Sequence, residues 1–191
     1  MKLRFLHIVW FGLVLSLLGF SQAGGQNMPL PVKDQVPLFL KILTYDSNLA
    51  ARGETIVVGV VFQERHRASV LAKDDFLAAI RDYPTVGGQS VRVVPLPLSD
   101  VATLQEQVQT HGINTLYVAP LRAYDVAVLL PLATEQQILT LSGVPAYIHE
   151  GIAVGMRLED RKPKVMVNLP AAKAQGANFK VQLLRLAEVI R

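Results

Sequence analysis

The chain has 191 residues, is 51% hydrophobic and 18% charged, carries a formal net charge of +4 and contains no cysteine. That length and apolar content suit one compact domain and exclude a disordered chain. The missing cysteine excludes a disulfide scaffold, a thiolate metal site, a cysteine nucleophile and a lipid-anchored N-terminal cysteine.

Residues 1–23 read as a signal peptide. Lys2 and Arg4 precede Phe5 to Phe20, which lacks Lys, Arg, Asp and Glu, and Ser21-Gln22-Ala23 supplies a small-x-small end. The apolar run is shorter than the ~20 residues a membrane span prefers. Every later apolar run is interrupted by charge, Pro or Gly, so no transmembrane span is expected after cleavage and the mature chain is expected in the periplasm. Cleavage removes Lys2 and Arg4 and leaves a nearly balanced chain. From Gly151 onward there are eight Lys/Arg and three Asp/Glu, a modest excess that reads as a solvated face. No basic stripe is interleaved with aromatic residues, so nucleic acid is not an expected partner.

Residues 24–34 hold the Gly/Pro-rich stretch GGQNMPLPV and are expected to form a flexible tether, with one α/β domain over 35–191. Leu38, Ile42, Tyr45 and Leu49 recur at helical spacing, and Gly53 closes that helix. Thr55 to Phe62 is a β-branched run apolar on both faces, as in a strand covered on both sides. A helix is expected over Ala68 to Asp82, and Pro84 with Gly87-Gly88 breaks the chain. Ser90 to Leu96 reads as a shorter strand with edge character, given Pro95 and Pro97. Ser99 is expected to cap a helix carrying Leu104 and Val108, with Gly112 just past its end.

Thr115 to Ala119 is a third buried strand. Ala123 to Thr134 suits a packed helix that Pro131 kinks or ends, and Ile138 to Leu141 makes a fourth strand. Alternation then takes over: Ile152, Val154, Met156 and Leu158, then Val165, Val167 and Leu169 after a polar turn, predict an antiparallel hairpin. Pro170 starts a short helix that Gly176 ends. Asn178 is expected to cap a last helix with Phe179, Leu183, Leu186 and Ile190 inward. The fold class is therefore α/β: a three-layer Rossmann-like domain, its sheet mostly parallel, with a C-terminal hairpin and terminal helices.

In such a sheet, ligands bind beyond the carboxyl ends of the strands. The residues placed there are Gln63, Glu64, Arg122, Tyr124, Tyr147, His149 and Glu150, and these are the candidate ligand or partner contacts. Arg122 and Tyr124 could grip an anion with help from backbone N–H groups. No G-x-G-x-x-G, P-loop or G-x-S-x-G is present, so nucleotide cradles and a hydrolase elbow lack support. His66, His111 and His149 have no partner ligand at helical spacing, so no metal or cofactor is expected. His111, ahead of Gly112, suits a helix C-terminus. No catalytic residue and no enzyme activity are expected.

The most distinctive text lies near the C-terminus: Gly151-Ile152-Ala153-Val154-Gly155, Val165-Met166-Val167-Asn168-Leu169-Pro170-Ala171-Ala172, Gly176-Ala177 and Gln182-Leu183-Leu184-Arg185-Leu186-Ala187. It resembles the C-terminal signature of the YfiR/HmsC-like family of small exported α/β proteins. Upstream, Leu43-Thr44-Tyr45-Asp46, the strand Ile56 to Phe62 and Leu141-Ser142-Gly143 follow that family's order. Physically the signature is structural: Asn168 bonds backbone groups beside Pro170, small residues allow close approach, and the Leu stripe is core.

The resemblance implies a non-enzymatic regulator that binds the periplasmic domain of a membrane sensor protein, a diguanylate cyclase, and holds it inactive; release would raise cyclic di-GMP and promote biofilm formation. It also implies a capacity to form homodimers. The alternative expectation is a single-lobe periplasmic small-ligand-binding domain resembling half of an ABC-transporter substrate-binding protein. The cysteine control used by some family members has no counterpart in this sequence, and Leu38-Phe39-Leu40-Lys41-Ile42-Leu43 replaces the family's aromatic-rich first helix.

Overall fold

A computed structural model describes residues 27–191. The signal peptide expected over 1–23, and residues 24–26 of the expected tether, lie outside the described residues. The remainder of that tether is partly packed. Helix α1 spans Val32–Leu43, so it begins inside the stretch expected to be loose. Leu30 and Val32 are buried, and the buried Gln35 donates Nε2–H to the Leu30 carbonyl at 2.6 Å. The Gly/Pro-rich stretch reads as a tether from composition; burial of Leu30 and Val32 outweighs that signal.

The strands are β1 (Thr55–Phe62), β2 (Thr85–Val86), β3 (Gln89–Pro97), β4 (Thr115–Val118), β5 (Leu139–Ser142), β6 (Val154–Glu159), β7 (Lys162–Asn168) and β8 (Glu188–Ile190). They form one sheet in the order β2-β3-β1-β4-β5-β6-β7-β8. The pairs β3·β1, β1·β4, β4·β5 and β5·β6 are parallel, β6·β7 is the expected antiparallel hairpin, and β7·β8 is parallel. The helices after α1 are α2 (Arg67–Ala79), α3 (Val101–His111), α4 (Leu130–Glu135), α5 (Ala146–His149), α6 (Leu169–Ala174) and α7 (Val181–Leu186).

Two apolar cores flank the sheet. Ile56, Val58, Val60 and Phe62 of β1 join Phe39 of α1 and Phe76 of α2 on one face. Val57 and Val61 join Leu104, Val108 and Ile148 on the other. Alternation along one strand thus feeds both layers, which explains why β1 is apolar throughout. Tyr117 of β4 stacks on Phe76, with ring centroids 4.3 Å apart.

Five expectations change. β3 is not the outermost strand: β2 pairs with it antiparallel through a tight turn at Gly87 and Gly88, both at positive φ. Its edge character survives beyond that short partner. Leu98 donates its N–H to Phe62, so by alternation Pro95 and Pro97 turn their donorless nitrogens outward. Asp100, not Ser99, caps α3, accepting from Thr103 N–H.

Pro131 falls in the first turn of α4, where its missing N–H is harmless. The stretch ahead of α4 is a 3₁₀ turn over Val126–Leu129 capped by Asp125.

The last helix is only six residues long, is preceded by Lys180 rather than Asn178, and gives way at Ala187 to β8. Val189 and Ile190 pair with Val167 and Asn168 of β7, so Ile190 does not join a helical stripe. Two β-branched residues beside an open strand edge favour pairing over helix. Phe179 and Leu183 are buried as expected, whereas Leu186 is exposed. Helix α1 likewise ends at Leu43, with Leu49 in a separate 3₁₀ turn that Gly53 closes at φ +106°.

Candidate functional site

The chain leaves β1, crosses through α2 on one face to β3, then returns through α3 on the other face to β4. The strand order β3-β1-β4 therefore reverses direction at β1, and the carboxyl ends of these strands open a crevice. Gln63, directly after β1, is the group that shapes it. Its backbone N–H donates to Ser69 Oγ at 2.9 Å, fixing the start of α2. Its side-chain Oε1 accepts the N–H groups of both Arg122 and Ala123, from the loop after β4. Arg122 and Tyr124 are expected from sequence to grip an anion with help from unspecified backbone N–H groups, and these are two of the N–H groups at that loop. They are already occupied, so the anion grip expected of Arg122 and Tyr124 lacks these two donors.

Two clefts remain at these strand ends and meet at Ala123 and Tyr124. One, of about 380 Å³, is lined by Gln63, Glu64, Arg65, Pro97, Leu98, Ser99, Ala123 and Tyr124. The other, of about 310 Å³, includes Arg122, Tyr124, Asp125, Tyr147 and Glu150 in its walls. Six of the seven residues singled out from sequence thus line one cleft or both. His149 lines neither; it is exposed at the end of α5. Arg65, Ser99 and Asp125 are wall residues that the sequence list omits.

Tyr147 pins the two sides together. Its phenol oxygen accepts the N–H of Leu121 at 2.8 Å. Burial pushes its pKa up to about 12; the Leu121 hydrogen bond opposes that rise, while Glu150 and Asp125 add to it. The Glu150 carboxyl is raised as well, first by burial and then by Asp125 across the cleft. Tyr124 donates its hydroxyl to the Ser99 carbonyl, closing the wall between the β3 and β4 ends. Among the described residues no group of three or more His, Asp or Glu side chains gathers as a metal site.

A third cleft, at the opposite end of the sheet, is built differently. Asn48, Arg52, Asn114, Gln137 and Gly176 are among its lining residues. Arg52 donates to Asp46 Oδ2 twice and to the carbonyls of Asn114, Gln137 and Gln175. All five guanidinium N–H groups are engaged, which leaves none for a ligand. This end is a structural lock.

The architecture is that of a doubly wound α/β domain with polar clefts at the carboxyl ends of its parallel strands. Among solved structures, it is similar to the ABC domain in complex with L-Trp from Streptococcus pneumonia, at 11% identity and a TM-score of 0.58 over 84% of this chain and 62% of that one. A conserved domain protein from Vibrio cholerae is similar at 13% identity and a TM-score of 0.55, over 84% and 60%. So is the ligand-free, open structure of a substrate-binding protein with adhesive properties from Clostridium difficile, at 15% and 0.57, over 83% and 59%. The chain spans about three fifths of the length of these structures, and the likeness is one of fold. No curated protein matches it. The family model described as YfiR/HmsC-like matches residues 62–188, and the chain belongs to that family.

Proposed function

We propose that this protein is an exported, non-enzymatic regulator that binds the periplasmic domain of a membrane diguanylate cyclase and holds it inactive, so that its release raises cyclic di-GMP and promotes biofilm formation. Membership of the YfiR/HmsC-like family over residues 62–188 carries this reading. Export is supported by the signal-peptide pattern of residues 1–23. No helix among the described residues is long and apolar enough to cross a membrane.

Surface chemistry supports a protein partner. Val181 is 59% exposed and Leu186 69% on α7, which leads directly into the edge strand β8. Large apolar side chains beside an unpaired strand edge favour protein contact. Because the sequence lacks cysteine, release by thiol–disulfide exchange within the chain is excluded.

A single-lobe ligand binder is the second reading, favoured by the substrate-binding fold of the structural neighbours and by the clefts at the strand ends. The two readings part in the cell. Deleting the gene should raise cyclic di-GMP and surface attachment, and the full chain should restore both while a version lacking residues 1–23 should not. Unchanged cyclic di-GMP in the deletion strain would count against the regulator.

A further inference from the structure

We propose that the cleft at the ends of β1, β3 and β4 binds a small organic anion of metabolite size, a carboxylate or a phosphate, through Gln63 Nε2 and Arg65. This is an effector site distinct from the partner surface on α7 and β8, and it requires no protein partner.

The argument starts from the orientation of one amide. Gln63 is only 7% exposed, and one end of its side chain meets two N–H donors, those of Arg122 and Ala123. That end must be the oxygen, because the reverse orientation would set an NH₂ group against two donors. Nε2 is thereby turned the other way, and among the described residues it donates to no protein group. It is not sealed in either: the side-chain atom enclosed without a partner, among the described residues, is Gln107 Oε1. Nε2 is therefore a nearly buried, oriented and unused donor in the wall of the 380 Å³ cleft. A donor held in this way is free to be satisfied by whatever occupies the cleft.

The surroundings specify the ligand's chemistry. Arg65 lines the same cleft and forms no ion pair among the described residues. Helix α2 begins two residues later, and His66 at its N-cap offers no side-chain acceptor, so the positive end of the helix adds to the field near Arg65. Tyr124 and Ser99 spend their hydroxyl protons on the Ser99 carbonyl and Asp100. Pro97, Leu98 and Ala123 supply apolar surface for a short carbon body, and the Glu64 carboxylate in the same wall offsets part of the Arg65 charge. The volume suits a small-molecule site, and the position is where open α/β sheets bind ligands.

The test is an NMR titration of the mature chain with lactate, butyrate and inorganic phosphate, following the Gln63 side-chain amide. At least one probe should give saturable shifts there, and comparison of the carboxylates with phosphate identifies the anion. Gln63→Glu keeps an oxygen facing Arg122 and Ala123 but replaces the cleft-facing donor with a charged acceptor. It should melt as the parent does and bind roughly tenfold or more weakly, since a charge-assisted hydrogen bond is lost and a like charge gained. Arg65→Ala, at an exposed position, should weaken binding without loss of fold. Absence of saturable shifts with all three probes, or undiminished binding by both variants, would overturn the proposal.

Discussion

Asp46 and Arg52 form a buried ion pair, Oδ2 to Nη2 at 3.2 Å, with side chains 0% and 6% exposed. Asp46 Oδ1 also accepts the N–H groups of Asn48 and Asn178, 2.9 and 2.8 Å away. With the three carbonyls held by Arg52, the pair ties the end of α1, the starts of β4 and β5, and the chain after α6 into one knot. Arg52→Met should leave Asp46 buried and uncompensated, at a cost of about 3–5 kcal/mol. Urea unfolding checks this, and a midpoint unchanged from the parent would show that the knot is not structural.

Tyr147 makes the fold sensitive to alkali. Its pKa rises from 10.0 to about 12 in the folded state, so the native chain keeps a proton that the unfolded chain gives up. The associated stability is whole below pH 10 and is lost as pH rises through about 12. Tyr147→Phe should be less stable at neutral pH by about 1–3 kcal/mol, because the buried Leu121 N–H loses its acceptor. It should also lose less stability between pH 9 and pH 11 than the parent. Tyr117, raised further by burial and then by Asp75, leaves a residual slope in the variant. Equal slopes in the two chains would contradict the assignment.

Gly59 sits in the middle of β1 where three side chains converge. A Cβ there would lie 2.5 Å from Leu96, 2.9 Å from Leu116 and 3.0 Å from Ile113. None of the three can yield without pressing into the same core. Gly59→Ala should destabilise by about 1–3 kcal/mol through overpacking. A melting temperature equal to the parent's would show that this core is looser than the packing implies.

Leu183 is the buried residue of α7. Leu183→Ala should cost about 2–5 kcal/mol as a core truncation, whereas Leu186→Ala, at an exposed position on the same helix, should cost little. Indistinguishable losses in the two variants would refute the placement of α7.

Continuous patterns were the legible part of the fold. Thr55 to Phe62 is a strand end to end because both its faces are covered, and no helix-forming residue interrupts it. The hairpin of β6 and β7 follows from strict alternation. Gly112 takes the left-handed conformation expected beyond α3, at φ +61°, and Asn168 caps α6 by accepting from Ala171 N–H. What was not legible depended on partners distant in sequence. Ile190 fits a helical stripe as well as a strand, and only the open edge of β7 decides between them. The placement of Gln63, Glu64, Arg122, Tyr124, Tyr147 and Glu150 around the strand-end clefts followed from connectivity alone. The double hydrogen bond of Gln63 did not, because it joins residues 59 and 60 positions apart. Asp46 and Arg52 carry no motif, since their role arises from carbonyls contributed by three separate segments.

The most direct test of the account is calorimetric titration of the mature chain with the purified periplasmic domain of a membrane diguanylate cyclase from the same organism. A regulator should give a saturable complex that Leu186→Asp on the exposed face of α7 weakens. Failure of the parent chain to associate with any such domain the organism encodes would contradict the proposed role.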